Sequence, residues 1–304
     1  LAAIKLNRSD EHQLSGISAR EGIGQGDQPT HLPDLSGEDR AVPHEIEQNI
    51  EHIKRLNPEY EYHLFDDEDI KAFILEYYGE VIWGYYQRIA PIYGAARADF
   101  FRYLLVYQLG GVYIDIKSSL DKPLKDVLRP EDQFILTHWD NRPGEQYEGI
   151  GIYPELGTLP RGEYIQWCIA SVAGHPFLRA VILQMLRNID EYTPFRHGAG
   201  LWGVLRTTGP VMYTKVIEAI RPMLVEGKDY RMLDKPQEIG LRYSIFDTAG
   251  VYGHKKALKA NYNKAYTPII VTPDRPLYAK CAKYYLFARL AIRVLGDKIA
   301  ARLK

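Results

Sequence analysis

The stretch from Ala95 to Lys117 constrains this chain more tightly than any other part of its 304 residues. Phe100, Phe101, Leu104, Leu105 and Leu109 recur at helical spacing and predict an apolar stripe. Gly110-Gly111 then supplies the positive φ that ends a helix, and Val112 to Ile116 follows as a buried strand. Residues two apart in a strand face the same way. Val112, Ile114 and Ile116 therefore point to the core, while Tyr113, Asp115 and Lys117 share the other side. On the helix, Asp99 and Arg102 are three apart and share a face distinct from the stripe. A tight turn thus joins a helix carrying an acid and a base to a strand end carrying Tyr, Asp and Lys. Ligands of open α/β sheets bind beyond the carboxyl ends of the strands, where these charges converge. Taken singly, Asp99 and Arg102 read as a surface ion pair and Asp115 as the start of a turn. Together on one helix-turn-strand unit they point to function.

The flanking sequence alternates in the same manner. Residues 1–43 are polar and Gly-punctuated and read as a loose N-terminal arm. Gly22-Ile-Gly24-Gln-Gly26 has no apolar strand before it, so a flexible loop is the better reading than a dinucleotide fingerprint. Residues 44–56 predict a helix stopped by Asn57-Pro58, and 60–65 alternate as a strand. Asp66 is placed to cap a helix carrying Ile70, Phe73, Ile74 and Tyr77, with a second helix over about 80–89. A strand over 133–137, a helix opened by His175-Pro176 and another after Thr207-Thr-Gly-Pro210 complete the strong signals. Residues 229–272 read as short strands and loops. Alternating strands and helices predict an α/β fold with a mostly parallel sheet covered on both faces.

Composition narrows the partners. A net charge of −1 gives no case for nucleic acid. Lys280 to Lys304, however, holds seven basic residues against Asp297 alone. Residues 273–304 read as a basic amphipathic helix with aromatics interleaved over 278–303. Such a helix suits either a membrane interface or ordinary packing on the domain. Two cysteines, Cys168 and Cys281, make neither a disulfide scaffold nor a zinc cluster. No apolar run approaches the ~20 residues of a membrane span. The chain opens with Leu1, which leaves three compartments open. It fits the cytoplasm, a membrane periphery, or the Golgi lumen after removal of an N-terminal anchor.

Ala96-Arg97-Ala98-Asp99-Phe-Phe-Arg102-Tyr103, followed by Leu109-Gly-Gly-Val-Tyr-Ile-Asp115, resembles the signature of glycosyltransferase family 32. This is a group of DxD-containing sugar transferases that includes α-1,6-mannosyltransferases. Leu56 to Tyr62, Asp66 to Asp69, Gly174 to Leu178 and Thr208-Gly-Pro210 agree in order, so the resemblance covers about residues 45–255. It implies a GT-A type, Rossmann-like domain over 44–272, with helices flanking a mostly parallel sheet. It also implies a retaining transfer of a hexose-type sugar from a UDP- or GDP-linked donor to a glycan, polysaccharide or glycolipid acceptor.

The resemblance extends to single residues. Asp99 and Arg102 take the positions that hold donor-sugar hydroxyls, and Arg97, Tyr113 and His254 take neighbouring donor positions. Asp115 takes the first aspartate of the DxD motif. The second position, normally a metal ligand, is Lys117. An ammonium cannot ligate a dication. Either Lys117 neutralises the diphosphate itself, or Mn²⁺ or Mg²⁺ is held by Asp115 with Asp247 or His254. A third reading is a non-catalytic sugar- or nucleotide-binding relative that has lost its metal chemistry. For the acceptor, Trp139 is expected on a cleft loop as a platform for a sugar ring, with Asp140 and Gln166 beside it. The family's N-terminal strand, of the type Ile-Pro-Lys-Ile-Ile-His-Gln, has no clear copy, and Val42-Pro-His44 is at best a remnant.

Overall fold

A computed structural model of the chain describes residues 3–8, 43–157, 159–246, 267–271 and 284–285. The strand predicted after the double glycine is β3 (Gly111–Asp115) in chain order, and it is apolar on both faces. Val112 and Ile114 enter one buried cluster with Leu120, Leu124, Ile135 and Cys168. Tyr113 enters the other, with Phe65, Phe101, Ile169 and Phe177. The period of two therefore serves two cores, and helices cover both. α1 (His44–Leu56) buries Ile53 against the first cluster. α2 (Asp67–Arg88), α3 (Gly94–Leu109), α5 (Pro176–Asp190), α6 (Gly200–Thr207) and α7 (Pro210–Ile220) fill the second. Each fully buried Phe or Leu here contributes about 1.5–3 kcal/mol of transfer free energy.

Local chemistry sets the element ends where the sequence places them. Asp66 caps α2 by accepting from the backbone N–H of Glu68 and Asp69 at 2.9 and 3.0 Å, and Asp69 Oδ2 accepts from Asp66 N–H at 2.8 Å. Gly79, at φ 72°, breaks α2 into two pieces, and the piece after it, ending at Arg88, is the second helix expected over about 80–89. His175 caps α5: its Nδ1 accepts from Phe177 N–H at 3.2 Å and its Nε2 meets the Asp229 carbonyl at 2.9 Å. Burial holds this imidazole neutral, with its pKa lowered to about 4.

Sheet direction and the N-terminal arm depart from expectation. Ala3–Arg8, read from sequence as part of a loose arm, forms strand β1 at the centre of a four-stranded sheet. It pairs antiparallel with β2 (Tyr60–Phe65) on one side and with β3 on the other. β3 pairs antiparallel with β6 (Cys168–Ser171) in turn. The mostly parallel sheet is therefore corrected. Among the described strands, only β5 (Ile135–Thr137) and β7 (Arg231–Leu233) pair in parallel, while β4 (Ser119–Leu120) and β8 (Leu241–Arg242) pair antiparallel. The physical reason lies in the connections. β2 and β3 do point the same way, joined through α2 and α3, but β1 occupies the gap between them. From β3 to β6 the described helices include only the four-residue α4 (Leu124–Val127) and a short 3-10 turn, too little for a parallel crossover.

The turn that sets the site is Gly110, with φ 62° and ψ −160°, a backbone region essentially restricted to glycine. A Cβ there would also lie 2.7 Å from Ala173 N and 3.1 Å from Ser171 O. Gly110→Ala is expected to cost about 1–3 kcal/mol from backbone strain, and more from the clash. Gly84, inside α2 with nothing within 4 Å of an added Cβ, provides the contrast. Gly84→Ala should gain about 0.5–1 kcal/mol. Urea denaturation of both variants measures the difference, and equal midpoints would count against this description of the turn.

Candidate functional site

The C-terminal end of β3 and the middle of α3 bring four charges together. Arg102 extends one guanidinium nitrogen to Asp115 Oδ1 at 3.0 Å and to Asp99 Oδ1 at 3.4 Å. Its second nitrogen donates to the Gln166 carbonyl at 2.8 Å, and its plane lies over the Tyr113 ring, 5.0 Å from the centroid. Lys117 Nζ donates to Asp115 Oδ2 at 2.5 Å and sits over the Tyr243 ring at 4.5 Å. Tyr113 O–H donates to Asp115 Oδ1 at 3.0 Å. Two carboxylates and two cations thus form one network with no net charge. The alternation holds for Tyr113 and Asp115, but the strand ends at Asp115, and Lys117 meets them from the turn closed by Ser118 N–H donating to the Asp115 carbonyl at 2.7 Å. Ile116, expected in the core, is half-buried in that turn.

The network is graded in depth. Side-chain exposure is 4 % for Asp99 and Arg102, 10 % for Lys117 and 20 % for Asp115. Solvent therefore reaches it through Asp115 and Lys117. Burial acts on each group first. It raises the Asp99 carboxyl by more than Arg102, Thr208 and Gln166 offset. Burial also pushes Asp115 upward, but Arg102 and Lys117 outweigh it and hold that carboxyl below the usual range. Burial lowers the Lys117 ammonium by more than Asp115 restores. The open grooves around Lys122, Arg129 and Arg231 contain none of these four side chains.

Several partners of Asp99 carry no local sequence signal. Thr208 Oγ1 donates to Asp99 Oδ2 at 2.9 Å, and Gln166 Nε2 donates to Asp99 Oδ1 at 3.0 Å. Gln166 Oε1 accepts from Tyr103 O–H at 2.5 Å, and Tyr103 stacks on Tyr213. Gln166, expected to face the acceptor, thus lies in the network as a support for Asp99. Thr208 was legible as part of the Thr208-Gly-Pro210 landmark before a helix but not as a partner of Asp99, because its contact spans 109 positions of chain.

Other expected site residues lie elsewhere. Arg97 turns away from the network, donating twice to the Ile89 carbonyl at 3.0 and 2.9 Å and covering the Tyr86 ring. It satisfies an end carbonyl of α2 rather than a donor molecule. Trp139 is corrected too. It is 4 % exposed, with ring contacts to Tyr147, Trp167 and Tyr243, so its face is not free to stack on a sugar. Asp140 is buried beside it, with Oδ2 accepting from Gln237 at 2.8 Å. Asp247 and His254 lie outside the described residues, as does the basic segment 278–303 apart from 284–285. Among the described residues, no group of three His, Cys, Asp or Glu side chains is placed to hold a metal ion.

Trp139 leads to one unusual acid. Its Nε1–H donates to Glu163 Oε1 at 2.7 Å, while Glu163 Oε2 is buried with no hydrogen-bond partner. Burial, with Asp99 adding to it, raises this carboxyl to about 8, and the Trp139 bond offsets only part. The folded state therefore keeps a proton that the unfolded chain releases near pH 4.5. Stability is lost progressively as pH rises from about 4.5 to about 8. Glu163→Gln removes that titration. The variant is expected to gain on the parent as pH climbs from 5 to 8 in paired thermal melts, and a constant offset would refute the assignment.

Comparison with known proteins places this helix-turn-strand unit inside a matched family segment. Residues 43–135, which hold α3, the double glycine and β3, match the family described as "Glycosyltransferase sugar-binding region containing DXD motif". An "Initiation-specific alpha-1,6-mannosyltransferase" of Schizosaccharomyces pombe is 28 % identical over 179 residues, covering 54 % of this chain and 42 % of that protein. The protein so named from Candida albicans is 29 % identical over 178 residues, covering 53 % and 44 %. "Inositol phosphoceramide mannosyltransferase 3" of Schizosaccharomyces pombe is 28 % identical over 168 residues, covering 55 % and 39 %. The chain spans less than half the length of these curated relatives. A solved structure, the "PaToxG Glycosyltransferase", covers 81 % of each chain at 13 % identity with a TM-score of 0.39, too distant to inform this site. The matched segment is similar to a glycosyltransferase sugar-binding region. The likeness to glycosyltransferase family 32 read from the sequence is borne out.

Proposed function

We propose that this chain transfers a hexose, of the mannose class named in its relatives, from a nucleotide-diphosphate donor to a glycan or glycolipid hydroxyl. The observation that carries this reading is the buried four-charge network at the α3–β3 turn, inside the matched sugar-binding region. In such a transfer the anomeric C–O bond to the diphosphate breaks, and the electron pair leaves with the diphosphate. A new bond forms from the anomeric carbon to the acceptor oxygen, whose proton passes to the released phosphate or to water. Configuration at that carbon is retained. Negative charge grows on the diphosphate as the bond breaks, so preorganised cations beside it lower the barrier. Asp115 and Lys117, which reach solvent, meet the donor. Asp99 and Arg102, each 4 % exposed, hold those two in place.

The acceptor follows from the relatives: two are named for initiating α-1,6-mannosyl transfer and one for acting on inositol phosphoceramide. A lipid-linked or glycan acceptor fits both, and the basic 278–303 segment would suit a membrane surface. No helix among the described residues is long and apolar enough to cross a membrane. Incubation of the full chain with UDP- and GDP-linked hexoses and oligomannose or inositol-phospholipid acceptors tests the reading. Release of one nucleotide, dependent on acceptor, is expected. Tight nucleotide-sugar binding without turnover in every mixture would instead support a non-catalytic relative.

A further inference from the structure

A DXD motif implies a divalent ion, and the donor set around Asp115 among the described residues does not fit one. Position 117, where the motif's second carboxylate belongs, is an ammonium. It occupies Asp115 Oδ2 at 2.5 Å, while Oδ1 already receives Arg102 and Tyr113. A dication beside Asp115 would therefore face a fixed positive charge at close range instead of a second carboxylate. Charge counting gives the same answer. With aspartate at 117, the network of Asp99, Arg102, Asp115 and residue 117 would carry −2, which one divalent ion balances. With lysine it carries zero. The backbone supports the arrangement: Lys117 C=O accepts from Ile245 N–H at 2.8 Å, and Ser118 Oγ donates to the Tyr243 carbonyl at 2.8 Å. The strand end is thus pinned under the Tyr243 ring that the ammonium faces.

We infer that Lys117 replaces the divalent ion of a DXD site, so that this chain binds its nucleoside diphosphate without metal. The inference rests on the donor-site reading above. An ammonium has three N–H donors, and among the described residues Asp115 is the one side-chain acceptor it meets. The Lys117 side chain is 10 % exposed, so it meets solvent where phosphate oxygens would approach, as lysine serves elsewhere as a point charge for phosphate. Asp115 holds the ammonium at the mouth of the network, and Arg102 fixes Asp115 from below.

The test uses the full chain, stripped with EDTA and dialysed. Calorimetric titration with GDP and with UDP is run in EDTA and again in Mn²⁺, and free Mn²⁺ is followed by its EPR signal. The nucleotide that binds is expected to do so with the same Kd in both buffers, within about twofold, and the parent chain should leave the Mn²⁺ signal unchanged. Lys117→Asp should weaken binding in EDTA by on the order of a hundredfold, recover it in Mn²⁺ and deplete free Mn²⁺. Binding by the parent that is tenfold tighter in Mn²⁺, or a Mn²⁺ signal lost on adding parent protein, overturns the inference and leaves the donor-site reading intact. Binding of neither nucleotide in either buffer overturns both. The parent measurements decide the matter even if Lys117→Asp does not fold.

Discussion

Arg102→Met is expected to lower the stability of the chain by on the order of 3–5 kcal/mol, measured as the loss of free energy in urea denaturation. The size follows from what the guanidinium holds. It contacts Asp115, Asp99 and the Gln166 carbonyl, and its side chain is 4 % exposed. Methionine fills much of the volume but leaves Asp99 buried without a counterion, and burial already raises that carboxyl. Removing one partner of a buried ionic network costs more than the network itself contributes, because the remaining charge has nowhere to go. Arg102→Lys should fall between, since one ammonium cannot reproduce a planar fork that meets Asp99, Asp115 and the Ala98 and Gln166 carbonyls at once. Adding Asp99→Asn to Arg102→Met should recover at least about 1 kcal/mol relative to additivity, the mark of direct coupling. A loss below about 1 kcal/mol for Arg102→Met would show that the network is neither as buried nor as coupled as described.

Asp115→Asn acts at the open end and is expected to damage turnover more than folding. Its kcat/KM for the donor that proves active should fall by on the order of 10²–10³, the scale for losing one preorganised electrostatic group. Asparagine keeps the shape, and its carbonyl can still accept from Arg102 or Tyr113. It no longer fixes the Lys117 ammonium, which then leaves the diphosphate without a positioned cation. The side chain is 20 % exposed, so water can take up part of the lost solvation and the fold should survive. Steady-state rates and a thermal melt on the same preparation separate the two effects. Full activity with an unchanged melt would remove Asp115 from the site.

The part of the structure legible in advance is the part whose information is local. The stripe of Phe100, Phe101, Leu104 and Leu105, the Gly110 turn and the alternation through Tyr113 and Asp115 all lie within about twenty residues, and each constrains the next. The Asp66 cap and the His175-Pro176 helix start are equally local. What escaped depends on distant chain. Ala3–Arg8 alternates weakly, and its place between β2 and β3 is fixed by ladders to residues more than fifty positions away. Trp139 follows a strand, as a cleft residue would, yet Tyr147, Trp167 and Tyr243 gather around it from three other segments. Thr208 and Gln166 satisfy Asp99 across more than sixty positions, and no pattern around either residue announces it. Lys117 was visible as an oddity in the motif. Only the geometry shows that it completes a neutral network.

The most direct measurement is a crystal structure of the full chain with GDP or UDP bound. The diphosphate should lie against the Lys117 ammonium at the mouth of the Asp99, Arg102, Asp115 network, on the side where Asp115 meets solvent. A nucleotide seated instead in the groove of Lys122, Arg129 and Arg231, with those four side chains untouched, would contradict the donor-site assignment.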